Sequence, residues 1–142
     1  MNRLFNATVL VFASCITANA QTLKVQILNG KSGKPVANEH VNVFRNGDFA
    51  DPTGSRNIPG FNTDANGVFT ISRIAPETHS FTVAVDWHRP CGKNYAKFSL
   101  NEIFSKGIVS ENVCKPKLER TATPGTLILF VRDETFFEKM AH

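Results

Sequence analysis

From Ser80 to Trp87 polar and apolar side chains alternate without a break, with Ser80, Thr82, Ala84 and Asp86 set against Phe81, Val83, Val85 and Trp87. Successive side chains of a strand point to opposite faces of its sheet, so this run reads as a strand with one face buried. The same periodicity places Trp87 in the inward row, as core.

Other segments repeat the pattern. From Thr22 to Asn29, Leu23, Val25 and Ile27 face one way and Thr22, Lys24 and Gln26 the other. Val41 and Val43 carry a second alternation out to Arg45, and Phe69 and Ile71 point inward where Thr70 and Ser72 point out. Thr126 to Val131 is continuously apolar, as in a central strand buried on both faces. Between these runs lie Gly30 to Pro35 and Asp64-Ala65-Asn66-Gly67, whose residue types make turns. Asn46 to Phe61 is rich in Gly, Asp, Pro, Ser and Asn and reads as the longest irregular stretch. Strands at this spacing, without a long 3.6-period segment, predict an all-β fold, an antiparallel β-sandwich.

Two helical exceptions are expected. Ser99-Leu100-Asn101-Glu102 fits a capping box and Gly107 a stop, giving a short helix in the loop before the last strand. Glu134 to Met140 can form one or two turns, with Phe136, Phe137 and Met140 as an apolar face.

At 142 residues the chain suits one domain, and 42% hydrophobic with 20% charged residues is ordinary for a folded soluble protein. The N-terminus departs from that average. Asn2-Arg3, the mostly apolar Ala7 to Thr17 and Ala18-Asn19-Ala20 have the order of an export signal, cut between Ala20 and Gln21. Residues 21–142 are then a secreted or periplasmic domain, and no segment reaches the roughly twenty apolar residues of a membrane span. Phe12-Ala13-Ser14-Cys15 also resembles a degenerate lipoprotein signal, which would make Cys15 an acylated first residue.

Removing Arg3 with the signal lowers the formal net charge from +4 to +3. The basic residues are scattered, without the clustering of a nucleic-acid binder. Cys91 and Cys114 remain, and in an oxidising compartment such a pair suggests a disulfide. Two buried thiols or half of a metal site are the rival readings, but no C-x-x-C spacing or histidine pair completes a zinc site.

Ser32-Gly33-Lys34-Pro35-Val36, Val41-Asn42-Val43, Thr63 to Phe69, Ile74-Ala75-Pro76-Glu77-Thr78 and Phe81-Thr82-Val83 occur in an order that resembles the carboxypeptidase regulatory-like domain. That family belongs with the transthyretin-like, Ig-like sandwiches. The resemblance covers about Leu23 to Val85 and implies a sandwich used as an accessory, adhesive or interaction module, without implying catalysis. Arg89 to Lys117 goes beyond the family pattern, and loops added to rigid sandwiches commonly carry binding.

Enzymes of related architecture set residue requirements that this chain does not meet. A hydrolase of the transthyretin-like type ends in Tyr-Arg-Gly-Ser, whereas this chain ends in Glu138-Lys139-Met140-Ala141-His142. Iron-dependent ring cleavage needs two tyrosines, and Tyr95 is the single one here. Lys24 has no Asn or Asp in Thr126 to Val131 with which to form an inter-strand amide bond. His40, His79, His88 and His142 include no chelating pair and read as solvated surface residues. No G-x-S-x-G elbow positions a serine nucleophile. Asp64 to Gly67 lacks the Glu of a calcium loop, since Ala75 stands at position twelve.

The expectation is therefore a non-enzymatic interaction module needing no catalytic residue, metal or cofactor, with an unknown protein or carbohydrate partner. Carbohydrate binding is the alternative, and an unrecognised hydrolase the weaker one. Trp87, His88 and Tyr95, beside the cysteine loop, could form an aromatic platform for sugar or peptide. The competing reading keeps Trp87 in the core.

Overall fold

Where the sequence alternates, the backbone is extended. The computed structural model describes residues 21–46, 57–92 and 95–141. The expected export signal, with its cut between Ala20 and Gln21 and the alternative Cys15, lies outside the described residues, as does His142. In chain order the elements are β1 (Leu23–Asn29), β2 (His40–Arg45), β3 (Asn57–Asn62), β4 (Val68–Ile71), β5 (Ser80–Val85), β6 (His88–Pro90), β7 (Phe98–Ser99), α1 (Leu100–Lys106), β8 (Ile108–Val109), β9 (Thr126–Asp133) and α2 (Phe136–Lys139).

The strands form two sheets, one ordered β4-β1-β9-β6 with β8 also on β9, the other β3-β2-β5-β7. Val25 and Ile27 of β1 and Leu127 and Leu129 of β9 meet Val41, Val43, Phe81 and Val83 of the second sheet in one core. This is a β-sandwich with few helices, as the alternation implied.

One expectation needs correcting. The sandwich is not purely antiparallel: β9 lies parallel to β1, from Lys24↔Thr126 to Asn29↔Val131, and β8 lies parallel to β9. Parallel neighbours need a crossover connection, and the chain between β1 and β9 supplies it by running through the second sheet and back.

A second correction concerns Asn46 to Phe61, where β3 pairs antiparallel with β2 from His40↔Asn62 to Phe44↔Asn57. Residues 47–56 of that stretch lie outside the described residues.

The apolar run of β9 does have two buried faces. Leu127, Leu129 and Val131 point into the sandwich, while Ile128 and Phe130 join Leu28 and Cys91 in a smaller cluster on the outside of the first sheet. The Cys91–Cys114 disulfide, with Cα atoms 5.4 Å apart, pins the chain over that cluster. Part of the cysteine-closed segment is thus a cover for the core.

Local chemistry sets the ends of elements. Asp64 Oδ1 accepts from the backbone N–H groups of Asn66 and Val68, both at 2.8 Å, and Gly67 takes φ 69°, so this is a turn rather than an ion loop. Ser99 caps α1, its Oγ accepting from Glu102 N, and Gly107 ends the helix at φ 77°. Glu102 pairs with Lys106 at 3.0 Å.

The C-terminal turn is held by charge instead of burial. Thr135 and Glu138 form a capping box at α2, and Arg132 donates from Nη1 and Nη2 to the Glu138 carboxylate at 2.9 and 2.8 Å. These hydrogen bonds, first from Arg132 and then from the Thr135 backbone, hold the Glu138 carboxyl well below its ordinary range. A carboxyl depressed in the folded state contributes above the pH where its unfolded form titrates, near 4.5, and loses that contribution as acid reaches the folded group. Acidification to about pH 1, or Glu138→Gln at neutral pH, is therefore expected to melt α2 in Cα chemical shifts of residues 136–139. Because α2 buries no residue, the Glu138→Gln melting temperature should stay close to wild type. A turn that persists in the variant would show that the fork does not hold it.

The apolar face expected on this segment has no cover among the described residues: Phe136, Phe137 and Met140 are 71%, 82% and 69% exposed. No helix of the described residues is long and apolar enough to cross a membrane.

Candidate ligand-binding cleft

Between Val85 and His88 the chain leaves the second sheet and enters the first, so Asp86-Trp87 is a corner of the sandwich. A corner resets the alternation. Trp87 takes φ 60°, the left-handed region, and is 60% exposed instead of continuing the inward row of Phe81, Val83 and Val85. That conformation brings Cβ close to the following carbonyl and costs about 1 kcal/mol or more for a bulky residue.

The neighbours fix the corner in place. Asp86 N donates to His40 O at 3.0 Å, and the Asp86 carboxylate accepts from His40 Nδ1 and Asn42 Nδ2, both at 3.1 Å. Glu134 N donates to Trp87 O at 3.0 Å. Contrary to the expectation of a solvated histidine, His88 is only 8% exposed. Its Nδ1 donates to Asp86 O at 2.7 Å, and its Nε2 faces Asp133 Oδ1 at 3.2 Å. The reason is register: β6 pairs antiparallel with β9, setting His88 opposite Asp133 and closing the ring beneath the turn. His40 and His79 are exposed as expected.

Beside the corner lies a cleft of about 340 Å³. Its lining brings together all three residues of the expected platform, Trp87, His88 and Tyr95. Asn42, Phe44 and Ala84 form its floor on the outward face of the second sheet, and Asp86, Arg89 and Glu134 supply charge. Arg89 Nε stands 2.9 Å from Glu134 Oε1, a pair whose acidic side chain is 5% exposed. An aromatic plane edged by paired amide, carboxylate and guanidinium groups can stack on a flat ligand and direct hydrogen bonds to its rim.

Sequence reasoning missed Asn42, Asp86, Arg89 and Glu134 as lining residues. Asp86 and Arg89 bracket Trp87-His88 in the chain, a signal that was present. Glu134 had no such signal, because only the pairing of β6 with β9 brings it there. The Glu138 carboxyl, shifted by Arg132, is not part of the lining. Among the described residues no group of three or more His, Cys, Asp or Glu side chains is arranged to hold a metal ion.

No protein-family model matches the chain, and no curated protein matches it. Among solved structures it is similar to a 9R-lipoxygenase from Cyanothece PCC8801, at 17% identity and a TM-score of 0.38 over 77% of this chain. The chain spans 15% of that protein. A likeness this slight carries neither fold nor function across.

Proposed function

We propose that the chain is an exported, non-enzymatic interaction module, a carboxypeptidase regulatory-like sandwich of the transthyretin-like, Ig-like kind, that holds its partner at the Trp87 corner. One observation carries this reading: a tryptophan 60% exposed is held at φ 60° by hydrogen bonds on either side of it. Folding alone gains little from an open indole in a strained conformation, whereas a partner gains a rigid aromatic anchor. Phe136, Phe137 and Met140 follow closely on Glu134, itself part of the cleft, and extend the exposed apolar surface. Monomeric proteins seldom leave such surface open without a use. The disulfide supports export, since such bonds persist in oxidising compartments.

A carbohydrate ligand is the second reading, favoured by the polar groups that edge the indole in the cleft. The hydrolase reading is the weakest, because the cleft lining includes no Ser, Thr or Cys to act as a nucleophile. The test is Trp87→Gly, compared with wild type on a glycan array and against candidate protein partners. Glycine adopts positive φ without strain, so stability should stay within about 1 kcal/mol of wild type. Affinity should fall at least about tenfold, as expected when a hot-spot aromatic is lost. A glycan hit lost in the variant selects the carbohydrate reading; undiminished binding by Trp87→Gly would remove the Trp87 corner as the site.

A further inference from the structure

On the side of the sandwich away from β3 and β4, both sheets end in very short strands, β6 with three residues and β7 with two. Strands so short do not close the gap between the layers. The cysteine-closed segment crosses it instead, leaving a second cavity of about 230 Å³. Val83, Phe98 and Leu129, all buried, form its inner wall with Pro90, while Tyr95, Ala96, Ser110 and Glu111 stand around it. Tyr95 lines this cavity and the Trp87 cleft alike.

The chemistry of the lining is one-sided. Its inner wall is apolar, and Glu111 supplies its one carboxylate. Glu111 is exposed, and its side chain meets no cation among the described residues. An apolar cavity of roughly 150 Å³ holds a benzene ring, so this one has room for a ring and a short chain. The one negative charge selects the sign of what enters.

We infer that this cavity is a binding site, separate from the Trp87 corner, for a small organic cation: a single aromatic ring carrying a primary ammonium on a short alkyl arm. The ring packs between Val83, Phe98 and Leu129, and the ammonium lies against the Glu111 carboxylate.

The test titrates 2-phenylethylamine, 2-phenylethanol and 3-phenylpropionate into the oxidised chain, following the methyl resonances of Val83 and Leu129. The amine should saturate those shifts at the lowest concentration and the carboxylate at the highest. Glu111→Gln, at an exposed position, should weaken the amine about three- to fivefold, the effect of one rim ion pair, and leave the alcohol unchanged. Ala96→Trp, also at an exposed position, should block all three probes, while Trp87→Gly should leave the amine binding intact. No saturable shift with the amine, equal affinity for amine and carboxylate, or an amine affinity indifferent to Glu111→Gln would each overturn the inference. Loss of amine binding in Trp87→Gly would overturn the separateness of the two sites.

Discussion

Replacing Cys91 and Cys114 together by alanine is expected to lower the unfolding free energy by about 3 kcal/mol, a large share of the roughly 5 to 15 kcal/mol of a typical domain. The bond joins residues separated by 23 positions, and releasing that loop restores chain entropy to the unfolded state. Cys91 is also 1% exposed in the cluster of Leu28, Ile128 and Phe130, so the cover over the outer face of β9 loosens when the link is cut. Urea unfolding of the oxidised protein, the reduced protein and the double variant checks this. The last two should agree, with midpoints well below the first. A difference under about 1 kcal/mol would mean that packing alone holds the segment.

That segment also shows where sequence reasoning reached and where it stopped. The doubly buried β9 was legible because a continuous apolar run has no polar face to offer water. Its direction was not, because period two is the same in parallel and antiparallel strands. β3 was hidden by Pro59 and Gly60, which read as turn residues but are tolerated at an edge, and β3 is the edge of its sheet. Pro90 in β6, at the edge of the other sheet, is the same case.

At the candidate site, Trp87, His88 and Tyr95 were picked out by residue type, and the cleft contains all three. The choice between platform and core could not be read from periodicity, which assumes that a strand continues. Here the strand stops at Val85 and the chain changes sheets, so the eighth residue of a faultless alternation falls outside. His88 erred in the opposite direction. A histidine with no chelating neighbour in sequence looked solvated, but the β6–β9 register placed a carboxylate over it. Both errors are long-range: local pattern fixes which way a side chain faces along a strand, and tertiary pairing decides where the strand ends and what lies above it.

Phe130→Ala is expected to have the largest effect of any single substitution proposed, a loss of about 3 to 5 kcal/mol, because the ring is 1% exposed and its removal leaves a cavity under the disulfide. The informative measurement is the thermodynamic cycle with the cysteine variant. Phe130 O accepts from Cys91 N at 2.9 Å, and Phe130 N donates to Ser110 Oγ at 2.8 Å, so ring, disulfide and covering segment share one contact network. Residues that share partners do not contribute additively. The combined loss should therefore fall short of the sum by about 0.5 to 3 kcal/mol, since a segment already freed by one change has less to lose from the other. Phe81→Ala is the control: it is equally buried but belongs to the core between the sheets, and its loss should add to that of the cysteine variant within about 0.5 kcal/mol. Strict additivity for Phe130 would mean that the outer cluster and the disulfide stabilise the sandwich independently. Coupling would mean that they act as one unit, and because Ser110 belongs both to this network and to the cavity lining, Phe130→Ala should then also weaken 2-phenylethylamine binding.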